Sequence, residues 1–317
     1  MQFFKDTHID FVGKRKVFGT FSICLCAFLI IAVGILGIDW GIDFVGGTEC
    51  QFEFSKNVEL TQIRNIVKKS VFSDAEIKSY GREGQFIIRV RELKGEGGNT
   101  NTKASEQLES ILKAGFPDNT VTKLGENSIG PKVGGEMRTQ AIIAVFLAVL
   151  AMLLYVAFRF EFVFGAGAVI ALVHDVIVAI GVTVLIGKTD LLNLEFTQSM
   201  LAAALTVVGY SVNDTVVIFD RIRENKELHK GMSLPELLNL SLNETLSRTI
   251  ITTLTTLLVL AVMVVAAGPV LEGFAFMMLV GLISGTYSTI YIATSFVVWY
   301  TNKFGKNKQV VANATNM

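Results

Sequence analysis

The chain has 317 residues, 51% hydrophobic and 18% charged, against about 25% charged in an average soluble domain, and its mean hydropathy of +0.52 places it among membrane proteins. Lysine plus arginine (28) equals aspartate plus glutamate (28), so no bulk charge is available to recruit nucleic acid or an acidic substrate. Four prolines and three cysteines exclude a proline-rich disordered chain and a disulfide framework, and Cys24, Cys26 and Cys50 read as small apolar residues rather than metal ligands.

A bilayer needs about 20 mostly apolar residues per spanning helix, and six such runs follow one another. The first, 17–38, comes after Lys14, Arg15 and Lys16. It is longer than a signal-peptide core and lacks a small-residue cleavage site, so it reads as an uncleaved signal anchor after a cytoplasmic stretch at 1–16. The others cover 137–158, 162–186, 194–219, 246–267 and, from Glu272 or Gly273 onward, the run to Tyr300. Lysine and arginine are retained on the cytoplasmic side. Lys5, Lys14, Arg15, Lys16, Arg159, Arg221, Arg223, Lys226, Lys230, Lys303, Lys306 and Lys308 then fall inside, with only Lys188 in the short outer loops. Both termini, the 301–317 tail and a loop at 220–245 are expected to be cytoplasmic.

Between the first two spans, 39–136 is polar and of mixed periodicity, an exported folded domain. Cys50, Phe52 and Phe54 alternate as in a half-buried strand, and Leu60, Ile63, Ile66, Val67 and Val71 follow at helical spacing. Two strand-like stretches, 75–80 and 85–93, flank Gly81 to Gly84 as a hairpin. A glycine-rich tip at 95–101, a second amphipathic helix with Leu108, Ile111 and Leu112, and a strand near 121–124 complete the pattern. Strand, helix, strand, strand, helix, strand is the split βαβ, ferredoxin-like order. The domain holds no histidine and no pairing of nucleophile with base, which favours a binding or lever role over catalysis.

A charge at the centre of a spanning helix costs at least about 2.5 to 3.5 kcal/mol, so each one needs a reason. His174 and Asp175 sit mid-way in the third run, Asp214 lies in the inner half of the fourth, and Arg248 starts the fifth. Asp214 is about 9 Å along the helix from Asp220, and Arg248 enters from the same face, within reach of an ion pair or a water-bridged contact. By three- and four-residue spacing Thr206, Tyr210, Asn213, Asp214 and Arg221 share one face. Arg248, Thr252, Thr255 and Thr256 form a stripe on the fifth span, and Ser284, Ser288, Tyr291 and Ser295 another on the sixth, beside Gly281 and Gly285 in a close-packing arrangement. The three stripes are expected to face one another across a hydrated seam. For the hydroxyl residues, polar glue between helices is as good a reading as function. Asp214 fits glue less well, since asparagine would serve without the charge. Burial favours the protonated form of a carboxyl and a guanidinium the ionised one, so a carboxyl set between the two can exchange a proton as helices move. Adjacent helical residues point about 100° apart, so at most one of His174 and Asp175 faces the seam. Asp175 reads equally as functional or packing, and His174 as an interior histidine rather than a relay.

Gly187, Lys188 and Thr189 resemble the end of a phosphate loop, but Gly181 is one residue too far away and the site is on the outer face. Neither Asp175 nor Asp214 stands in the Gly-x-Gly-Asp setting of membrane aspartyl proteases. Ser233 and Glu236 form a capping box, and Leu234, Leu237, Leu238 and Leu242 give the helix it starts an apolar face for the membrane surface or a partner. No cofactor, metal or catalytic group is expected.

The segment 41–48 (GIDFVGGT), with Asp43, Gly46 and Gly47, resembles the entry signature of the SecD/SecF family of protein-export membrane proteins. So do 129–136 (IGPKVGGE), with Gly130, Pro131 and Gly134, the third-span motif 173–175, and the long run 207–225 (VVGYSVNDTVVIFDRIREN). The resemblance covers 9–300 and implies an architecture like half of a resistance-nodulation-division transporter. It implies an accessory, non-enzymatic translocase subunit of the bacterial inner membrane that uses the proton motive force to promote preprotein export. It also implies a separate SecD, the SecYEG translocon, YajC and the preprotein as partners. Asp214, Arg248 and Asp175 match family positions linked with proton passage, with Asn213, Tyr210, Thr252 and Thr256 as supporting polar residues. A half-transporter of a small or lipophilic molecule and a purely structural scaffold are the rival readings.

Overall fold

The computed structural model describes residues 7–73, 75–79, 82–90, 100–189, 192 and 194–305. It builds a helical bundle with a small α/β domain at one end, called here the domain side; the opposite end is the terminal side. Helix α1 (Arg15–Leu36) leads through a short α2 (Ile42–Val45) into strand β1 (Gly47–Phe54). Helix α3 (Leu60–Lys68), strands β2 (Glu76–Ser79) and β3 (Gln85–Val90), helix α4 (Thr100–Gly115) and strand β4 (Val121–Ile129) follow. The antiparallel sheet has the order β2-β3-β1-β4, the ferredoxin-like arrangement expected from the pattern. Cys50, Phe52, Phe54, Phe86 and Ile88 on one face of the sheet meet Ile63, Val67, Leu108 and Leu112 of the two helices. Each such side chain contributes roughly 1.5 to 3 kcal/mol on burial, enough together to hold a domain of this size.

The differences from the expected elements are local. Helix α3 ends at Lys68, so Val71 is exposed beyond it. Strand β4 reaches Ile129 because a bulge between Gln51 and Phe52 of β1 skips Leu124 in the pairing and restores register. Helix α4 already starts at Thr100, and the hairpin residues 80–81, the strand end 91–93 and the tip residues 95–99 lie outside the described residues.

Among the described residues, six helices are long and apolar enough to cross a membrane. After α1 these are α5 (Pro131–Arg159), α6 (Phe162–Gly187), α7 (Gln198–Leu228), α8 (Leu234–Ala266) and the sixth helix, which runs as α9 (Pro269–Ser288), a π-helical segment (Thr289–Ala293) and α10 (Thr294–Tyr300) before a second π segment (Thr301–Gly305). Helices α6, α7 and α9 form the interior, while α1, α5 and α8 turn apolar faces outward, with Val17, Phe146, Phe158 and Val265 exposed. On α9, Gly281 and Gly285 take α7 in close contact: a Cβ at Gly281 would fall 2.3 Å from Val207 Cγ2, and one at Gly285 3.3 Å from Ser211 Cβ.

The expected 220–245 loop is mostly helix. Helix α7 runs on to Leu228 and α8 starts at Leu234, with the Ser233 N–H donating to Glu236 at 3.1 Å in the capping box. The fourth span begins at Gln198 rather than near Leu194, because 194–196 folds back to bridge Trp40 and Phe196. The apolar face of the first turns of α8 packs inside the chain. Leu237, Leu238 and Leu242 join Phe219 and Ile222 of α7 and Phe11 and Val12 of the segment before α1. Asn239 Oδ1 accepts the N–H groups of Phe11 and Val12, both at 3.0 Å, and Asn243 pairs with Ile9.

Candidate functional site

The two glycine motifs meet at the junction of domain and bundle. Helix α2 lies against the first turn of α5, and a Cβ on Gly134 would come within 2.8 Å of the Gly46 backbone nitrogen, so only glycine permits the approach. Gly46 and Gly47 have φ of +78° and +137°, which turn the chain from α2 into β1. Gly130 is the extended cap before α5, and Pro131 occupies its first position. Asp43 accepts the Gln198 N–H at 2.8 Å, placing a carboxylate at the start of α7. Lys188 pairs with Asp39 at 2.6 Å.

Beside this junction the polar face of the sheet covers a cavity of about 430 Å³ over the start of α7. Glu195, just ahead of α7 and 9% exposed, binds Lys78 at 2.8 Å and also Arg89, which pairs in turn with Glu49. On the terminal side Arg159 binds Asp220 at 2.8 Å, and Arg221 binds Glu244 of α8 at 2.7 Å. Helix α7 is therefore tied by charge at both ends.

Between those ties lies the polar interior. Asp175 of α6 is fully buried and takes part in four hydrogen bonds. Ser211 of α7 (2.6 Å) and Ser288 of α9 (2.7 Å) donate to Oδ2, and Ser284 of α9 (2.7 Å) and His174 Nδ1 (3.0 Å) approach Oδ1. The expectation that only one of His174 and Asp175 faces inward is corrected here. Both are buried, because their flexible side chains bend toward each other across the 100° between their Cα–Cβ bonds.

Asp214 lies one turn from Ser211 toward the terminal side and is 6% exposed, turned into the bundle. It takes no hydrogen bond or ion pair from the described residues, although Arg248 is close enough for its charge to act on the carboxyl. Next to it Thr215 shares a 3.0 Å hydrogen bond with Thr289 at the start of the first π segment. A π turn often marks a functional position within a helix.

The stripe expected on the fifth span is rotated. Arg248, Thr252 and Thr255 are exposed on the outer side of α8, with Thr252 Oγ1 bonded to its own helix at Arg248 O, 3.0 Å. The face that α8 turns inward carries Thr245, Thr249 and Thr253, and Thr253 meets Thr286 of α9 at 3.0 Å. Both faces carry hydroxyls, and the contact with α9 decides between them. On α7, Asn213 and Thr206 are also exposed, whereas Tyr210 and Thr256 join α7 to α8 at 2.9 Å. The site residues thus divide into an inner set, Asp175 and Asp214, and an outer polar strip, Asn213, Arg248 and Thr252. On the sixth helix, Ser284 and Ser288 face the seam as expected, while Tyr291 packs on Phe11 and Phe18. Ser211, Thr215 and Thr289 carry contacts that sequence spacing passed over; the position of Ser211 one turn from Asp214 was its only signal. Among the described residues, no three histidine, cysteine, aspartate or glutamate side chains converge to hold a metal.

Among the described residues, six spans, a ferredoxin-like insertion after the first and an acid-bearing interior define a multi-pass membrane protein. Residues 107–303 match the family described as protein export membrane protein SecD/SecF, C-terminal, and residues 31–58 the SecD/SecF GG motif. The chain is 39% identical over 300 residues to the protein translocase subunit SecF of Desulfurispirillum indicum, covering 94% of this chain and 93% of that one. It is 38% identical over 298 residues to that of Rhodothermus marinus, covering 94% and 95%. The chain belongs to the SecF family of protein translocase subunits. Its fold is similar to the crystal structure of SecDF, a translocon-associated membrane protein from Thermus thermophilus, with a TM-score of 0.82 and 35% identity. That match covers 94% of this chain and 39% of the other, so the chain spans well under half of that protein.

Proposed function

We propose that the chain is the accessory subunit of the Sec translocase that couples the proton motive force to preprotein export, with Asp214 as the group that gains and loses the proton. Asp214 carries this reading: it is a carboxyl buried in a spanning helix, near a guanidinium, with no hydrogen-bond donor on it among the described residues. Asp175, bonded to Ser211 of α7 and to Ser284 and Ser288 of α9, organises the interior around it. A charge that moves through 100 mV releases about 2.3 kcal/mol, and α7, tied to the α/β domain through Asp43 and Glu195, is the element that would carry the motion outward.

The outer strip of Asn213, Arg248 and Thr252 is costly against lipid and suits a cover of similar polarity. A separate SecD half fits that place, since the SecDF structure extends well beyond the part this chain matches. SecYEG, YajC and the preprotein enter as further partners. The basic residues of the short loops support an inner-membrane orientation with both termini in the cytoplasm. A half-transporter of small molecules is less well supported, because the α/β domain is a single small ferredoxin-like unit.

The test is export of a reporter preprotein in cells whose only copy carries Asp214→Asn, measured with and without an uncoupler. The potential-dependent part of export is expected to disappear while the subunit accumulates normally. Export that keeps its full dependence on the potential would remove proton coupling through Asp214.

A further inference from the structure

The Asp175 cage poses a charge problem that the four hydrogen bonds do not solve. Both carboxylate oxygens are filled by hydrogen-bonding neighbours, two on each. A fully buried anion is expensive without a compensating charge. Among the described residues no lysine or arginine pairs with it, and the one basic group in contact is His174. With Asp175 as a carboxylate, its Oδ1 accepts from the His174 Nδ1–H at 3.0 Å, and in the neutral ring the lone pair is then on Nε2. That atom is buried and has no hydrogen-bond partner among the described residues.

We infer that His174 Nε2 is a second proton-binding atom of the bundle, taking a proton from water and returning it as the helices around Asp175 rearrange. The step is a simple acid–base exchange: one N–H bond forms at the Nε2 lone pair, the ring becomes an imidazolium, and Asp175 remains a carboxylate beside it. The His174–Asp175 pair is neutral when the proton is present and carries one negative charge when it leaves. The inference rests on the proton-coupled reading above and adds a residue to it.

The surroundings suit the role. Among the described residues, Asp175 is the one charged group paired with the ring. From α9, the Tyr287 ring lies 6.0 Å from the imidazole, and its hydroxyl is held between Ser22 Oγ and the Phe18 carbonyl of α1, both at 2.8 Å. Tyr291 of the π segment stacks on Tyr287, with ring centres 5.4 Å apart. Cys26 of α1 lies near enough to feel the charge of Asp175. From α7 comes the uncharged Ser211, with Asp214 one turn away. A proton at Nε2 therefore acts on contacts among four helices at once, since α6 carries the pair, α7 and α9 bind the carboxylate, and α1 holds the tyrosine.

The chain has three histidines, and His8 and His229 are exposed. The double variant H8Q/H229Q therefore leaves His174 as the sole histidine without touching the core. Nitrogen-15 spectra of that full chain in lipid nanodiscs, recorded across neutral pH, report the state of each ring nitrogen. The expected result is an Nδ1–H neutral ring that becomes an imidazolium as the pH is lowered. A ring that keeps one state throughout, or whose neutral form carries its proton on Nε2, overturns the inference. Proton flux through the complex with its SecD partner in vesicles separates the two claims: H174Q and D214N are both expected to lose flux. Loss in D214N with wild-type flux in H174Q overturns the role of His174 alone. Unchanged flux in D214N overturns the coupling reading on which it rests.

Discussion

Asp175 and Asp214 are acids of the same bundle held in opposite ways. Three serine donors and His174 hold Asp175, whereas Asp214 has burial and a nearby guanidinium and no hydrogen bond from the described residues. Fixed donors stabilise one charge state and resist a change, so a group that must switch is better left without them. A different residue shows burial acting on an acid in the α/β domain. Burial, reinforced by the nearby Glu126 carboxylate, pushes the Cys50 thiol from 9.0 up to about 12. The folded domain holds that proton more tightly than the unfolded chain does, so below about pH 9 the thiol has no effect on the pH dependence of stability, and stability falls as the pH rises from 9.0 toward 12. At pH 8 a thiol reagent is expected to leave Cys50 unmodified until the domain is unfolded. Labelling in the folded protein at the rate of an exposed cysteine would contradict this.

At the level of elements, the fold was largely legible from period and composition. Alternation at Cys50, Phe52 and Phe54 and helical spacing at Leu108, Ile111 and Leu112 gave the ferredoxin-like order, since local pattern follows burial directly. What was not legible depends on contacts distant in sequence. The bulge that skips Leu124 follows from pairing with β1, and the docking of Phe11 and Val12 on Asn239 joins residues more than two hundred positions apart. The choice between two hydroxyl faces on α8 falls to α9, which no periodicity within α8 reveals. The glycine motifs were visible as a pattern, but their reason is steric and appears only where α2 meets α5. Gly134→Ala sets a methyl group against backbone rather than against a flexible side chain, 2.8 Å from the Gly46 nitrogen. Overpacking of this kind costs about 1 to 3 kcal/mol. The variant is expected to unfold at lower temperature and to be cut more readily by protease at the junction near residue 40, while Gly135→Ala, with open space around it, behaves as wild type. Equal behaviour of the two variants would show that the close approach is not what the motif provides.

Across the whole molecule, one helix connects the acid to the α/β domain. Helix α7 carries Asp214 and Ser211 mid-way, receives Asp43 and the Glu195 cluster at the domain side, and is bound by Arg159 and Glu244 at the other. A change of charge inside the bundle is thus placed to alter how the domain sits on it. The central claim is that Asp214 exchanges a proton within the membrane. It is tested most directly by infrared difference spectra of the complex in lipid, taken as the pH is stepped. The account predicts a protonated-carboxyl band that vanishes on deprotonation in the wild type and is missing from Asp214→Asn. The same band in both proteins would contradict it.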